Sequence, residues 1–291
     1  MREIRDMHII QIDVTNRCEL RCSNCTRMLA HHPRRYDMTI EQFRRAVDSL
    51  AGFPGIIGVF GGNPTLHPDF AALCAVLANA VPKPRRGLWA SRLNGHGRVI
   101  RETFGYFNLN VHGDAKAAAE IRRELPDVPV YGESDCWHKP SMVALRDVVP
   151  DPAKWQAIID ACPIQNRWSA IISPMPCGDL GAYPCEIMSA WEWVYEASSV
   201  EDLSPRWWQF ELTEWAVLFR CYCPDCGLCL DLPARRDTDR RDDVSRLHAA
   251  RAGARGVPFT DTIGPESLRE RGDSLDYALC RTRPGERNLR P

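Results

Sequence analysis

Three cysteines fall within eight positions near the N-terminus: Cys18, Cys22 and Cys25 in "VTNRCELRCSNCTRM". Thiolates spaced Cys-x3-Cys-x2-Cys on one loop converge on three corners of a cubane iron–sulfur cluster and leave its fourth iron without a protein ligand. A structural zinc site wants a fourth ligand nearby, which His31 or His32 offers. Three inert buried thiols fit least, because Arg17, Glu19, Arg21, Ser23 and Asn24 make the stretch polar. A second chemical signature is Gly61-Gly62-Asn63-Pro64. Backbone without Cβ approaches a ligand closely and proline stiffens the turn, although a generic strand-to-helix turn uses the same residues.

The whole chain bounds what these residues can serve. With 291 residues, 44% of them hydrophobic, and a formal net charge of −1, it buries one large core or a domain and a half. That balance gives no global basic field of the kind that drives non-specific nucleic-acid binding; a local basic patch stays open. The opening "MREIRDMHIIQIDV" lacks the apolar core of a signal peptide, and no window reaches the length of a membrane span. The expectation is a soluble, cytoplasmic protein. In that reducing compartment an odd count of 13 cysteines argues for metal ligation over a disulfide scaffold.

Periodicity supplies the elements that must position these groups. "HIIQIDV" (8–14) reads as a strand running into the cysteine loop. "MTIEQFRRAVDSL" follows with Ile40, Phe43, Val47 and Leu50 at helical spacing, and Thr39 with Gln42 predicts a capping box. "GIIGVF" (55–60) is a second strand, followed by the Gly-Gly turn and a helix from near Pro68. "RGLWASRLNG", "FNLNVHGD", "VPVYGESD" and "MVALRDVV" are four further strand candidates. Strands alternating with helices predict an α/β fold with a parallel sheet, a partial (β/α)6 barrel, with ligands beyond the carboxyl ends of its strands. Both the cysteine loop and the Gly-Gly turn fall there. The expected division is a barrel over 1–150, a small cysteine-rich α+β unit over 151–232, and a charge-rich tail over 233–291 that is flexible or loosely docked.

The order of Cys18, Cys22 and Cys25 after the first strand and Gly61-Gly62-Asn63-Pro64 after the second resembles the radical S-adenosylmethionine (SAM) superfamily. Two positions depart from its pattern: Asn24 stands where an aromatic residue commonly precedes the third cysteine, and Asn63 replaces the usual Glu. The resemblance implies a four-iron cluster whose open iron chelates SAM, and reductive cleavage to methionine and a 5′-deoxyadenosyl radical that takes hydrogen from substrate. It implies SAM contacts from the Gly-Gly turn, from Ser91 and Asn94 after the third strand, and from Asn110 and His112 on the fourth. Each of these four also reads as an ordinary polar residue at a strand end. A flavodoxin- or ferredoxin-type protein is the implied electron donor.

Most other cysteines lie in the second half: Cys162, Cys177, Cys185, and Cys221, Cys223, Cys226 and Cys229 in "CYCPDCGLC". The succession of Cys162, a strand, the Gly-x3-Cys of "LGAYPCE" and a later Cys-x2-Cys resembles the twitch domain, a shortened SPASM domain found behind some radical SAM barrels. On that resemblance Cys162, Cys185, Cys223 and Cys226 ligate an auxiliary four-iron cluster suited to electron transfer. A compact zinc knuckle of Cys221, Cys223, Cys226 and Cys229 is the competing reading, with Cys177 a substitute for any chosen ligand. Cys74, on the apolar face of "FAALCAVLA", reads as a small buried hydrophobe.

Cys136 follows the fifth strand candidate, where a thiol serves as hydrogen-atom donor in the radical SAM epimerases; an inert loop thiol is the plain alternative. Glu133, Asp135 and His138 in the same loop are acid or base candidates. Trp207, Phe210, Leu212 and Trp215 are expected to pack an accessory helix on the barrel. The whole pattern is similar to short radical SAM proteins of phage and environmental origin. That implies an isomerase acting on an amino-acid-bearing thymidine in phage DNA, with peptide modification or epimerisation as the competing enzyme reading. A non-enzymatic zinc or iron–sulfur sensor of metal or redox state is the reading outside enzymes.

Overall fold

Ile10, Ile12 and Val14 alternate with Gln11, Asp13 and Thr15 along strand β1 (Ile9–Thr15), and the period of two sends the two sets to opposite faces. The apolar set joins the main hydrophobic core, while the polar set is equally buried and must find partners inside the protein. The computed structural model describes residues 1–134, 136–254, 256 and 261–263. Strands β2 (Ile56–Gly61), β3 (Arg86–Ala90), β4 (Tyr106–Asn110) and β5 (Val130–Tyr131) pair in parallel successively outward from β1. Helices α1 (Ile40–Ser49), α2 (Phe70–Ala80), α3 (Gly97–Thr103) and α4 (Ala115–Glu124) connect them. Helix α1 starts with the expected capping box between Thr39 and Gln42 and buries Phe43, Ala46 and Val47.

After β5 the chain leaves this sheet through a two-residue strand, β6 (Trp137–His138), and the short helices α5 (Leu145–Val148), α6 (Trp155–Asp160) and α7 (Pro163–Arg167). It returns as β7 (Ser169–Pro174), parallel to β1 on its other side, and β8 (Leu180–Tyr183), antiparallel to β7. The sheet order is β5-β4-β3-β2-β1-β7-β8, a partial barrel of six parallel strands with one antiparallel edge. The sixth parallel strand is therefore β7, on the far side of residue 150 from the other five. "MVALRDVV", expected to be that strand, is instead α5 and its flanks. A short apolar run does not separate strand from buried helix. Here Val143, Leu145, Val148 and Val149 are buried with Ile158, Ile159, Leu230 and Leu232.

Helices α8 (Glu186–Tyr195) and α9 (Ala216–Tyr222) complete the cysteine-rich part. The aromatic stretch before α9 forms two 3-10 turns, Trp207–Gln209 and Leu212–Trp215, in place of one accessory helix. Trp207, Trp208 and Trp215 do bury into the main core, Trp208 against the Phe53 ring. The segment from Pro233 differs from the loosely docked tail expected of its charge. Strand β9 (Arg235–Arg236) pairs with β6, and β10 (Asp243–Ser245) precedes helix α10 (Arg246–Ala254) and pairs with β11 (Asp261–Ile263). Asp237, Asp243, Ser245 and His248 are all buried. The charges are taken up by partners: Arg235 pairs with Asp243 at 2.5 Å and Arg251 with Asp225 at 2.8 Å. Residues 264–291 of that tail, and Asp135, lie outside the described residues. No helix of the described residues is long and apolar enough to cross a membrane.

The polar face of β1 finds partners inside the barrel, except for Asp13 Oδ1, which is buried without one. Ser169 donates to Gln11 at 2.6 Å. Asp13 Oδ2 accepts from Tyr36 Oη at 2.5 Å, from Ser173 Oγ at 3.2 Å and from the Arg27 guanidinium. The Arg27 and Asp13 side chains are 2% and 0% exposed. Breaking a buried pair by neutralising one member strands the other charge, a loss of about 3–5 kcal/mol. Asp13→Asn is expected to lower unfolding stability by that amount in a denaturant titration. A loss below about 1 kcal/mol, the worth of an exposed pair, would show that the pair is not what holds Arg27 in place.

Candidate functional site

The cysteine loop is rooted at the carboxyl end of β1. Thr15 Oγ1 donates to Asp37 at 2.7 Å, and Arg17 forms two bonds to the same carboxylate at 2.7 and 2.9 Å. Asn16 accepts from the Tyr36 amide at 2.9 Å and donates to the Arg34 carbonyl at 2.9 Å. Beyond this root Cys18, Cys22 and Cys25 are partly buried free thiols. Burial pushes the Cys18 thiol up to about 12, and raises Cys22 and Cys25 as well, with neighbouring thiols adding to the rise in Cys18 and Cys22. Backbone amides offset the rise: Leu20 N–H donates to Cys18 Sγ at 3.4 Å, and the Leu29 and Arg27 amides favour the charged form of Cys25. Such a set is unstable as three bare thiolates and suits thiolates sharing a cation.

Each histidine offered for zinc has one ring nitrogen engaged elsewhere. His31 Nε2 pairs with Asp242, and His32 Nδ1 meets Asn16 Nδ2 at 3.0 Å. Burial drives the His32 ring down to about 3, so it stays neutral. Among the described residues the set of three metal-capable side chains with ligand atoms within 4.8 Å of one another is Cys22, His112 and Asp237. The three loop thiols are thus spread wider than one tetrahedral zinc shell, in which sulfurs lie roughly 4 Å apart at Zn–S distances of about 2.3 Å. Wider spacing and an incomplete thiol set fit a cubane cluster with one open iron.

The Gly-Gly turn packs on this loop. Gly61 has a φ of +142°, and a Cβ there would lie 2.3 Å from the Thr15 carbonyl; one on Gly62 would lie 2.2 Å from the Arg17 carbonyl. The Gly62 amide donates to Thr15 O at 2.8 Å and the Asn63 amide to Arg17 O at 2.7 Å. Asn63 Nδ2 and Asn94 Nδ2 each donate to Glu19 at 2.8 Å. The carboxylate missing from position 63 is therefore present at the same corner on Glu19, a residue that sequence reasoning treated only as part of a polar loop. Pro64 is buried behind this corner, and buried Ser91 has an Oγ without a hydrogen-bond partner. Asn94 adopts a left-handed backbone with φ +50°.

Across the mouth stand the groups from β4 and β6. Asn110 Oδ1 accepts the Cys136 thiol at 3.0 Å and the His112 amide at 3.2 Å. His112 Nδ1 lies 3.1 Å from Asp237 Oδ2 and 3.8 Å from Cys22 Sγ, and its ring meets His138 edge-on at 5.4 Å. Burial and His138 lower the His112 pKa while Asp237 opposes them. Asn110, His112 and Cys136 are thus brought together on the Cys22 side, and Ser91 and Asn94 lie with the Gly-Gly turn on the other. Glu133 instead pairs with Arg122 at the surface. Asp237 was missed because "RRDTDRRDD" reads as solvated charge; nothing in its local pattern marks one of its aspartates as buried.

The second centre is an apolar cavity lined by Cys162, Cys185, Cys223, Cys226 and Cys229 together with Trp191 and Tyr222. Cys162 and Cys185 are the residues just before α7 and α8, and free amides of those first turns point at their thiols. Burial pushes Cys185 up to about 12 and raises the other four, with mutual repulsion among the thiols adding to it in Cys185, Cys223, Cys226 and Cys229. The structure brings the four expected thiols together and adds Cys229. It does not form the compact knuckle: Cys221 is exposed and outside the cavity, as is Cys177 on the turn between β7 and β8. Cys74 is buried among apolar side chains, as expected.

Residues 12–124 match the model of the Radical SAM superfamily. A stretch of 66 residues is 33% identical to an S-adenosylmethionine-dependent nucleotide dehydratase of Selenomonas ruminantium, covering 22% of this chain and 23% of that protein. Among solved structures, BtrN in complex with AdoMet and 2-DOIA aligns with a TM-score of 0.47 at 13% identity, over 77% of this chain and 91% of BtrN. Streptococcus suis SuiB bound to precursor peptide SuiA aligns with a TM-score of 0.37 at 14% identity, over 77% and 70%. Residues 12–124, which span β1, the three-thiol loop, the Gly-Gly turn and strands β2 to β4, are a radical SAM superfamily domain.

Proposed function

We propose that the protein is a radical SAM enzyme in which Cys18, Cys22 and Cys25 hold a four-iron cluster and the Gly-Gly turn receives SAM. The observation that carries this reading is the packing of Gly61 and Gly62 on the root of a loop bearing three widely spaced thiols at the end of β1. When bound, the cluster supplies the electron that cleaves SAM to methionine and a 5′-deoxyadenosyl radical. The chain's own groups do the rest. Glu19, fixed by Asn63 and Asn94, offers an acceptor for the methionyl ammonium, and Ser91, Asn94, Asn110 and His112 line the rim for carboxylate and ribose. Cys136, whose thiol donates to Asn110, is the hydrogen-atom donor to a substrate radical in this reading.

A second four-iron cluster at Cys162, Cys185, Cys223 and Cys226 completes the reading, with Cys229 as a fifth thiol beside it. The barrel, residues 1–150 completed by β7, then binds SAM and substrate, and the cysteine-rich remainder of 151–232 relays electrons from a flavodoxin- or ferredoxin-type donor. For the substrate we favour a nucleotide or nucleobase, the class named for the Selenomonas ruminantium relative. Its finer form is isomerisation of an amino-acid-bearing thymidine in phage DNA.

Anaerobic reconstitution followed by reduction with SAM is expected to yield 5′-deoxyadenosine from the wild type and none from a Cys18, Cys22, Cys25 triple Ala variant. A fully loaded wild type that yields none overturns the enzyme reading. Deuterium appearing in 5′-deoxyadenosine from labelled peptide but not from labelled modified DNA or nucleotides would replace the substrate class with peptides. Iron counting tests the second centre. Wild type is expected to hold about eight irons, the triple variant about four, and a triple variant also carrying Cys185→Ala close to none, four being the content of one cubane. Cys221→Ala should leave the wild-type count unchanged, and a triple variant without iron would remove the second cluster.

A further inference from the structure

The two residues between Cys22 and Cys25 are held by a segment more than two hundred positions away. The Ser23 amide donates to the Asp237 carbonyl at 2.9 Å, its Oγ accepts the Arg241 amide at 2.9 Å, and its carbonyl accepts His138 Nδ1 at 2.8 Å. Asn24 is bound more completely. Its amide donates to Asp242, its Nδ2 to Asp243 Oδ2 at 2.8 Å, and its Oδ1 accepts the Asp243 amide at 2.8 Å. Asp243 is in turn gripped by Arg235, at 2.5 Å, and Asp242 by His31. Ser23, Asn24 and Asp243 are all buried, so these bonds are made in place of water.

Asn24 also has a left-handed backbone, with φ +49°. Asparagine is among the few residues with a Cβ that adopt this conformation readily, and its amide group alone combines a donor and an acceptor at that reach. An aromatic side chain supplies neither property. We propose that Asn24 is a positioning residue for the SAM-binding cluster. Through its paired bonds to Asp243 it ties the Cys22–Cys25 turn to the strap formed by residues 235–245, and this tie sets the spacing of the two thiols. The proposal rests on the reading of Cys18, Cys22 and Cys25 as the cluster ligands.

The test uses the full chain, reconstituted as wild type, Asn24→Asp and Asn24→Gly. Asn24→Asp keeps the size and backbone tolerance but sets a carboxylate against Asp243. Asn24→Gly keeps φ above zero and loses the side-chain bonds. The readouts are the SAM-induced change in the electron paramagnetic resonance spectrum of the reduced N-terminal cluster, the iron retained by the second centre, and the thermal midpoint. Both variants are expected to keep the second-centre iron while the SAM-induced change falls at least fivefold in Asn24→Asp and less in Asn24→Gly. A wild-type-like change in Asn24→Asp overturns the proposal. So does loss of iron from both centres in both variants, which marks a general structural role. A wild type with no SAM-induced change refutes the cluster reading itself and is thereby told apart from failure of the Asn24 proposal.

Discussion

One buried guanidinium ties the parts of this molecule together. Arg27 lies two residues past Cys25, and one of its nitrogens reaches back to Asp13 in the middle of the barrel. A second nitrogen donates to the Glu186 carbonyl and, at 3.0 Å, to Ser189 Oγ, both in the first turn of the helix that follows Cys185, while the third, Nε, is buried without a hydrogen bond. Removing an arginine from water is costly unless a counter-charge and hydrogen bonds replace the solvent. The replacements come from β1, β7 and α8 at once, since Tyr36 and Ser173 hold Asp13 in turn and the Phe60 ring lies 5.8 Å from the guanidinium carbon. The thiol loop, the sheet and the helix of the second thiol centre therefore cannot be placed independently. The loop must turn inward straight after Cys25, and it does so at Met28, which has φ +50° and donates its amide to the Cys25 carbonyl at 2.8 Å.

A carboxylate stands on each side of the thiol loop. On the Gly-Gly side, Glu19 sits between two side-chain amides, Asn63 and Asn94, that donate to it without neutralising it. On the Cys22 side, Asp237 faces an imidazole that its burial and His138 keep from charging easily. Each side thus presents one carboxylate, and neither is supplied by the turn residue at 63. The carboxylate beside the turn comes from the thiol loop. Glu19 is held through side chains rather than through the stiff Asn63-Pro64 backbone.

The sequence made legible whatever depends on local spacing. The three-thiol loop follows β1, the Gly-Gly turn follows β2, and five strands fall where alternation and apolar runs put them, because period and turn chemistry are local properties. What escaped were features that need the fold first. Val143 to Val149 is apolar enough for a strand, yet Leu145–Val148 within it is a helix whose apolar side chains bury with Ile158 and Leu230. A strand after Cys162 was legible, but its membership of the barrel was not, because its place beside β1 is a long-range pairing unmarked in "SAIISP" itself. Cys229 continues the Cys-x2-Cys spacing of Cys223 and Cys226, yet sequence reasoning placed it only alongside Cys221, in the competing knuckle. Turn geometry puts Cys229 in the cavity and leaves Cys221 at the surface.

The C-terminal segment shows why charge counting misleads most. A run such as "RRDTDRRDD" has the composition of a solvated linker, yet composition records the number of charges and not what they face. Here they are matched across the fold. Residues 235–243 meet the first thiol loop through Ser23, Asn24 and His31. A few residues on, helix α10 meets the second thiol centre. Arg251 binds Asp225, which lies between Cys223 and Cys226, at 2.8 Å, and His248 Nε2 lies 2.6 Å from the Asp225 carbonyl. Arg146 from α5 closes on the same carboxylate at 2.5 Å. The last described stretch of chain thus braces both groups of thiols, and it does so with charges because each loop it grips is itself polar. An apolar strap would leave the buried amides and carbonyls of those loops without partners, a cost that the aspartates and arginines of this segment remove.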